Sequence, residues 1–395
     1  MIRKTLTFCL ILLGSTYGFS QERKPWVVRT VNKIGAFIDT LATHGVDKRY
    51  IDVPKQPWQV ILKFNTNNMD MRSTSTMSEE RLATKGFNGD INFQSRFHPT
   101  TETSLGAWLG YRGYGLGYSI SLTGKSGFNF SIGATGAVYG INLRLRRFNT
   151  DQMEAHLWGH EDGEIYDEST PAETWEPVSV HTSILTGYYM FNGKRFSYAA
   201  AYDQSVRQIR SAGSLMVGVM WYQASLDYSD RLNALMIQGT GDIGRLKMQE
   251  ASLGVGYSYN WVPVKNLMIN VTALPMLSVY NRSKVWLYDS NYDIFLKPED
   301  IDPITGLSPS GKKMVPEEDD EYFSWMDDIT LTETGTVVKH GKMAFNVDLR
   351  MSVTYNFDRY FLNVFGQYNH YHHDIESHTL KLSDWYINAS LGIRL

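Results

Sequence analysis

The densest group of reactive side chains is His370-Tyr371-His372-His373-Asp374, followed closely by His378. In an extended segment side chains two apart share a face, so His370 and His372, with His373 beside them, have the spacing to share a metal ion. The same spacing also arises from polar side chains at a strand rim. No metal centre and no cofactor is therefore expected, and these three histidines are the candidates should one exist. His156 and His160, with Glu161 and Asp162, form a second group of the same kind. Eight charged residues recur at alternate positions among apolar ones: Lys63, Asp90, Arg96, Arg144, Arg146, Asp348, Arg350 and Arg394. On a polar inner face they would either line an aqueous pore or pair across a filled interior. There is no nucleophile elbow, phosphate loop or zinc-protease helix. His181 and Ser183 become a base and nucleophile only if folding pairs them.

The elements that must position these residues are strands. From Met343 the odd positions run Met343, Phe345, Val347, Leu349, Met351, Val353, Tyr355, Phe357, with Asn346, Asp348, Arg350, Ser352, Thr354 and Asn356 between them. A period of two means a strand with one apolar and one polar face. After a turn at Asp358-Arg359 the pattern resumes, and it closes on Trp385, Ile387, Ala389, Leu391, Ile393, Leu395. Strands of this kind suit a barrel with lipid outside and a polar lumen inside. Similar alternation appears at 58–65, 87–97, 103–122, 128–132, 141–146, 178–191, 215–221, 253–261 and 267–277. The expected fold is all-β, a transmembrane outer-membrane barrel of about twelve antiparallel strands. Twelve requires 103–122 to be one bulged strand and 192–211 an excursion on the periplasmic side. Splitting both gives fourteen.

Around this core the chain divides into residues 1–20, 21–56 and 57–395. Met1-Ile2-Arg3-Lys4 and the apolar Leu6–Leu13 read as an export signal peptide with cleavage after Ser20. Trp26, Val27, Val31, Ile34, Phe37, Ile38 and Leu41 have helical spacing, so a short periplasmic helix from Pro25 to Thr43 follows. The barrel carries two long acidic extracellular loops, 150–177 and 287–340. The first holds nine acidic side chains and no Lys or Arg. Such loops are expected to meet lipopolysaccharide through divalent cations. The formal net charge of −3 gives no reason to expect a nucleic-acid partner. The single cysteine, Cys9, lies inside the signal segment, so no disulfide contributes.

The last residues resemble the signal read by the outer-membrane assembly machinery. Asn388 is the polar position, Ser390 stands where glycine is usual, Ile393 is apolar, and Leu395 replaces the usual terminal aromatic. Four further pieces resemble an uncharacterised Bacteroidetes outer-membrane barrel family, domain of unknown function 4421. They are Asp47-Lys48-Arg49-Tyr50-Ile51, Trp58-Gln59-Val60, Tyr111-Arg112-Gly113-Tyr114-Gly115-Leu116-Gly117, and Phe196-Ser197-Tyr198 with Arg210-Ser211-Ala212-Gly213-Ser214. The resemblance implies an architecture and a location, the outer membrane and its lipid, but no activity. The expected role is non-enzymatic passage of small solutes or surface interaction. The alternative is an embedded enzyme that modifies lipid or lipopolysaccharide.

Overall fold

Apolar side chains point out and polar ones point in, the inverse of a water-soluble sheet. Phe345, Leu349, Met351, Val353 and Tyr355 are exposed while Asn346, Asp348, Ser352 and Thr354 are buried. The same inversion holds where Val60, Leu62 and Phe64 are exposed beside buried Gln59 and Asn65. Only hydrocarbon outside makes this arrangement favourable.

The computed structural model describes residue 40 and residues 44–77, 89–97, 101–123, 127–161, 164–294, 296, 298–316, 324–375 and 378–395. The chain forms two units, 1–44 and 45–395, and the barrel is the second. The expected signal peptide, and the expected helix apart from Thr40, lie outside the described residues.

Twelve antiparallel strands close into a ring: β1 (Trp58–Met77), β2 (Glu102–Tyr111), β3 (Tyr114–Ser121), β4 (Phe128–Thr135), β5 (Tyr139–Glu161), β6 (Glu164–Met190), β7 (Ala212–Asp227), β8 (Ile243–Val264), β9 (Leu267–Ser290), β10 (Phe345–Phe357), β11 (Tyr360–Ile375) and β12 (His378–Arg394). Sequence neighbours pair throughout, and β12 pairs β1 to shut the seam. No sheet edge is left open in hydrocarbon, which is what a spanning sheet requires. The fold is that of an outer-membrane β-barrel.

Short turns gather at one end. Arg112-Gly113, Asn266 and Asp358 have φ of 51°, 88°, 72° and 52°, the left-handed values that two-residue hairpin turns need. The longer connections lie at the other, loop end. Aromatics mark the rim of the belt at the turn end, where Trp58 meets Tyr111 edge-on with centroids 4.9 Å apart. Trp221 and Tyr280 stack at 5.8 Å towards the loop end.

The strand number matches expectation, but the membership differs. Residues 103–122 are not one bulged strand, because Arg112 and Gly113 turn the chain back between β2 and β3. The segment Gly89–Phe97 is not a ring strand. It pairs only with the loop-end extensions of β1 and β5. Nor are residues 150–177 a loop. The ladder of β5 with β6 continues through them as far as Glu161 opposite Glu164, with one irregularity between Thr150 and Gln152. Backbone pairing does not need apolar side chains, and acidic residues on the outer face of a strand in water are tolerated. The 287–340 insertion is also partly strand, since Leu331–His340 pairs back on β9.

The lumen is divided along its axis. At the loop end it holds an apolar core that includes Met71, Phe97, Phe148, Val180, Leu226 and Leu382. A helix in the 228–242 connection, α2 (Ala234–Gly239), adds Ile237 to this core. At the turn end the lumen is polar and closed by a cap.

Candidate functional site

The cap is built from residues 45–57 and 192–211. The Asp47 backbone N–H donates to the Lys194 carbonyl at 2.8 Å, and Ile51–Asp52 pairs with Arg207–Gln208. Arg49 donates from Nη2 to the Asp47 carboxylate at 2.8 Å, which holds that carboxyl at about 2, well below its usual range. Tyr50 lies under two guanidinium groups, Arg195 at 5.3 Å and Arg210 at 6.0 Å.

From this base a single turn of helix, α1 (Tyr198–Tyr202), enters the barrel. Ser197 caps it, its Oγ accepting from Ala200 N at 3.1 Å. Ala199, Ala200 and Ala201 are small enough to sit buried beside Ile51, Val206 and Met268. Tyr198 and Tyr202, four residues apart, share one helix face. Tyr202 Oη donates to Asn270 at 2.5 Å and lies 2.8 Å from Thr272 Oγ1. Tyr198 accepts from Arg350. After the helix, Gln204 adopts φ 58°. Arg394 donates to its carbonyl oxygen at 3.0 and 2.9 Å, and to Asn356 at 2.7 Å. Asp203, outside the spanning strands, accepts from Ser205 N at 2.8 Å, and burial pushes its carboxyl up.

Above α1 lies a cavity of ≈ 130 Å³ bordered by Lys63, Trp108, Asn142, Arg144, Tyr198 and Gln367. Lys63 Nζ sits 4.4 Å over the Trp108 ring. Three glycines make room for that indole: a Cβ at Gly115, Gly117 or Gly133 would lie 2.8 Å from one of its ring carbons. Across the lumen Arg350 pairs with Asp348 at 2.7 Å, and Tyr188 and Gln367 donate to the same carboxylate at 3.0 and 3.2 Å. Nearer the apolar core, Arg146 reaches Glu102 at 3.1 Å and Asp384 at 3.5 Å, while Arg144 stands 3.7 Å from Asp384. The interior charges are thus largely paired across the lumen.

Six of the eight expected lumen residues face in: Lys63, Arg144, Arg146, Asp348, Arg350 and Arg394. Asp90 and Arg96 do not. They lie on the outer face of the loop-end wall, where Arg96 pairs with Asp70 at 2.7 Å and His160 with Asp90 at 3.0 Å. Their parity is set by Gly89–Phe97, whose inward residues Ser95 and Phe97 are buried. Among the described residues no three His, Cys, Asp or Glu side chains are grouped to hold a metal. His370 instead bonds Ser383 Oγ at 3.0 Å. His372 stands on the same outer face, and the side chain of His373 lies outside the description. His156 pairs separately with Asp167 at 2.7 Å. His181 is 3.2 Å from Ser179 Oγ, not from Ser183. Asn388 and Ser390 face in, Asn388 donating to Asn65 at 2.7 Å. Leu395 is exposed, and its backbone N–H donates to Trp58 at 2.9 Å across the seam, with Ile393 one strand pair further in.

The residues that sequence reasoning missed are those of α1. The visible signal was Ser197 followed by Tyr198-Ala199-Ala200-Ala201-Tyr202, a capped helix-forming run inside a chain of alternating strands.

A family model described as domain of unknown function (DUF4421) matches residues 46–394. The chain belongs to this DUF4421 family. The four stretches that carry the resemblance meet at the cap of this DUF4421 barrel. Arg112 donates to the carbonyls of Pro57 (from its backbone N, 2.9 Å) and Pro54 (from Nη1, 2.5 Å), tying the turn stretch to the chain entering Trp58. Arg210 stands 6.0 Å over the Tyr50 ring, and its neighbour Ile209 donates from N to Tyr50 O at 2.8 Å, tying the first stretch to the last. No curated protein matches the chain. Solved structures with a similar arrangement include the outer membrane protease OmpT of Escherichia coli (8% identity, 88% of this chain and 100% of that one, TM-score 0.34). The translocator domain of the autotransporter NalP from Neisseria meningitidis is another (8% identity, 93% and 97%, TM-score 0.28).

Proposed function

We propose that this DUF4421 barrel is a closed, non-enzymatic outer-membrane protein that presents its loop-end wall for surface interaction rather than passing solutes. The observation that carries the reading is closure at both ends. The Arg394–Gln204 lock holds α1 in the turn end, and the apolar core fills the loop end. Turns and termini would face the periplasm, as in barrels of this class. Between the two seals the paired charges border a cavity of ≈ 130 Å³, room for on the order of ten waters. Single-channel recording of the refolded full chain in a planar bilayer tests this. Silence is expected, and steady conductance by the unaltered protein would overturn it.

The lipid-modifying reading keeps one specific support. Ser179 and His181 lie within hydrogen-bond reach on the outer face, with Asp227 directly opposite Ser179 in the ladder. Asp227 is, however, already engaged by Arg245 at 3.0 Å and Ser229 at 2.7 Å. Fatty-acid release from phospholipid by the purified protein, abolished in Ser179→Ala, would move the assignment to a hydrolase.

A further inference from the structure

Beyond the apolar belt, the outer face of β8 and β9 carries a basic square of which one corner alone meets a carboxylate among the described residues. Arg245 and Lys247 on β8 alternate with Leu246 and buried Met248; Arg282 and Lys284 on β9 alternate with buried Asn281 and Ser283. In the ladder Lys247 stands directly opposite Lys284, and Gln249 opposite Arg282. Like charges facing one another on adjacent strands, about 5 Å apart, oppose pairing. Among the described residues only Arg245 is neutralised, by Asp227 at 3.0 Å. Arg282 reaches the neutral Gln249 at 3.5 Å, Lys284 Nζ lies 4.4 Å over Trp286, and Lys247 meets no carboxylate among the described residues.

The surroundings say what would compensate these charges. Immediately towards the turn end the same strands expose Leu253, Val255, Leu277 and Val279, and the stacked Trp221 and Tyr280 mark the border. Amphipathic rings at such a border sit at headgroup level. Of the flanking outer positions on β6 and β7, Ser183, Gln223 and Ser225 are uncharged, and the acid Asp227 is taken up by Arg245. A partner must therefore offer concentrated negative charge at the rim and an apolar body lying along the belt. We propose that the outer face of β8–β9 binds a phosphorylated lipid headgroup, its phosphate bridging Lys247 and Lys284 with Arg282 alongside and its acyl chains on Leu253 and Val279. This specifies a partner for the barrel and rests on its membrane placement, not on the closed lumen.

The full chain in detergent micelles, titrated with a diphosphorylated lipid A, its dephosphorylated analogue and inorganic phosphate, tests it by native mass spectrometry. The phosphorylated lipid should bind about tenfold or more tighter than the dephosphorylated one, with the margin shrinking as salt rises. The double variant Lys247→Gln/Lys284→Gln should lose about tenfold in that affinity. Lys381→Gln, exposed on β12 away from the square, should lose none. Heat-modifiable gel migration checks that each variant is a folded barrel. Equal binding of the two lipids, or equal loss in the Lys381 variant, would overturn the proposal. So would inorganic phosphate that displaces the lipid at matching concentration, since the site would then read phosphate alone. A chain that fails to insert into lipid at all would instead overturn the membrane placement beneath it.

Discussion

Arg394 of β12 donates from Nε and Nη2 to one acceptor, the carbonyl oxygen of Gln204, at 3.0 and 2.9 Å. The acceptor belongs to a residue with φ 58°, whose carbonyl is turned into the barrel by that conformation. A fork-shaped donor on the wall therefore reads the backbone of the cap, and the cap is seated only when the ring has closed.

Removing that fork should loosen the cap without dissolving the ring. Arg394→Ala loses charge-assisted hydrogen bonds worth about 2 kcal/mol and leaves the Gln204 carbonyl unmet. Arg394→Lys keeps the charge but not the paired geometry, and should recover less than half. Urea unfolding in detergent reads the loss, and amide hydrogen exchange of residues 198–208 should quicken in the alanine variant while the bilayer stays silent, because the apolar core still fills the loop end. An alanine variant as stable and as slowly exchanging as the unaltered protein would mean the lock holds nothing.

Arg350 and Asp348 make a stronger demand because both are buried, 2.7 Å apart, under Tyr188 and Gln367. Arg350→Met alone strands a carboxylate in the lumen and should destabilise by about 3–5 kcal/mol. Adding Asp348→Asn should return most of that. Unfolding midpoints of the two singles and the double complete the cycle, and additive losses would mean the two side chains do not depend on each other.

The lumen residues divide sharply by how legible they were. Arg144, Arg146, Asp348, Arg350 and Arg394 sit in uninterrupted period-two runs, and parity alone turned them inward. Asp90 and Arg96 sit in an equally clear run, but parity does not say which layer a strand joins. Gly89–Phe97 lies against strand extensions beyond the belt, so its outer face meets water and its polar residues point there. Residues 150–177 were obscured for a related reason: acidic composition marks solvent, not irregularity, and the strands simply continue into it. The cap could not be read from alternation at all. Its seat depends on Ile51 and Asp52 pairing with Gln208 and Arg207 across more than a hundred residues of chain.

Asp203 gives the cap a pH dependence of definite sign. Burial raises its carboxyl above the ordinary range, so in the folded state it keeps its proton to higher pH than in the unfolded chain. The unfolded state then releases the proton first, and stability falls as pH rises from about 4 up to the raised value. Asp203→Asn keeps an acceptor for the Ser205 N–H and should remove this slope, leaving the variant more stable at neutral pH. Unfolding midpoints between pH 4 and 8 test it, and parallel curves for the two proteins would contradict the assignment.

Trp108 accounts for several of the glycines between 106 and 133. Its indole lies inside the lumen with Lys63 above it, and it fits only because Gly115, Gly117 and Gly133 leave the wall bare. At Gly133 a Cβ would lie 2.8 Å from Cη2 of the ring, closer than contact allows. The ring cannot retreat outward through a paired sheet, so it must move across the cavity and displace Lys63. Gly133→Ala should therefore destabilise by about 1–3 kcal/mol through overpacking and shift the tryptophan emission. Combining it with Trp108→Leu removes the clash, so the glycine substitution should then cost under half as much. A Gly133→Ala penalty that survives loss of the indole would place its origin in the strand backbone and not in this packing.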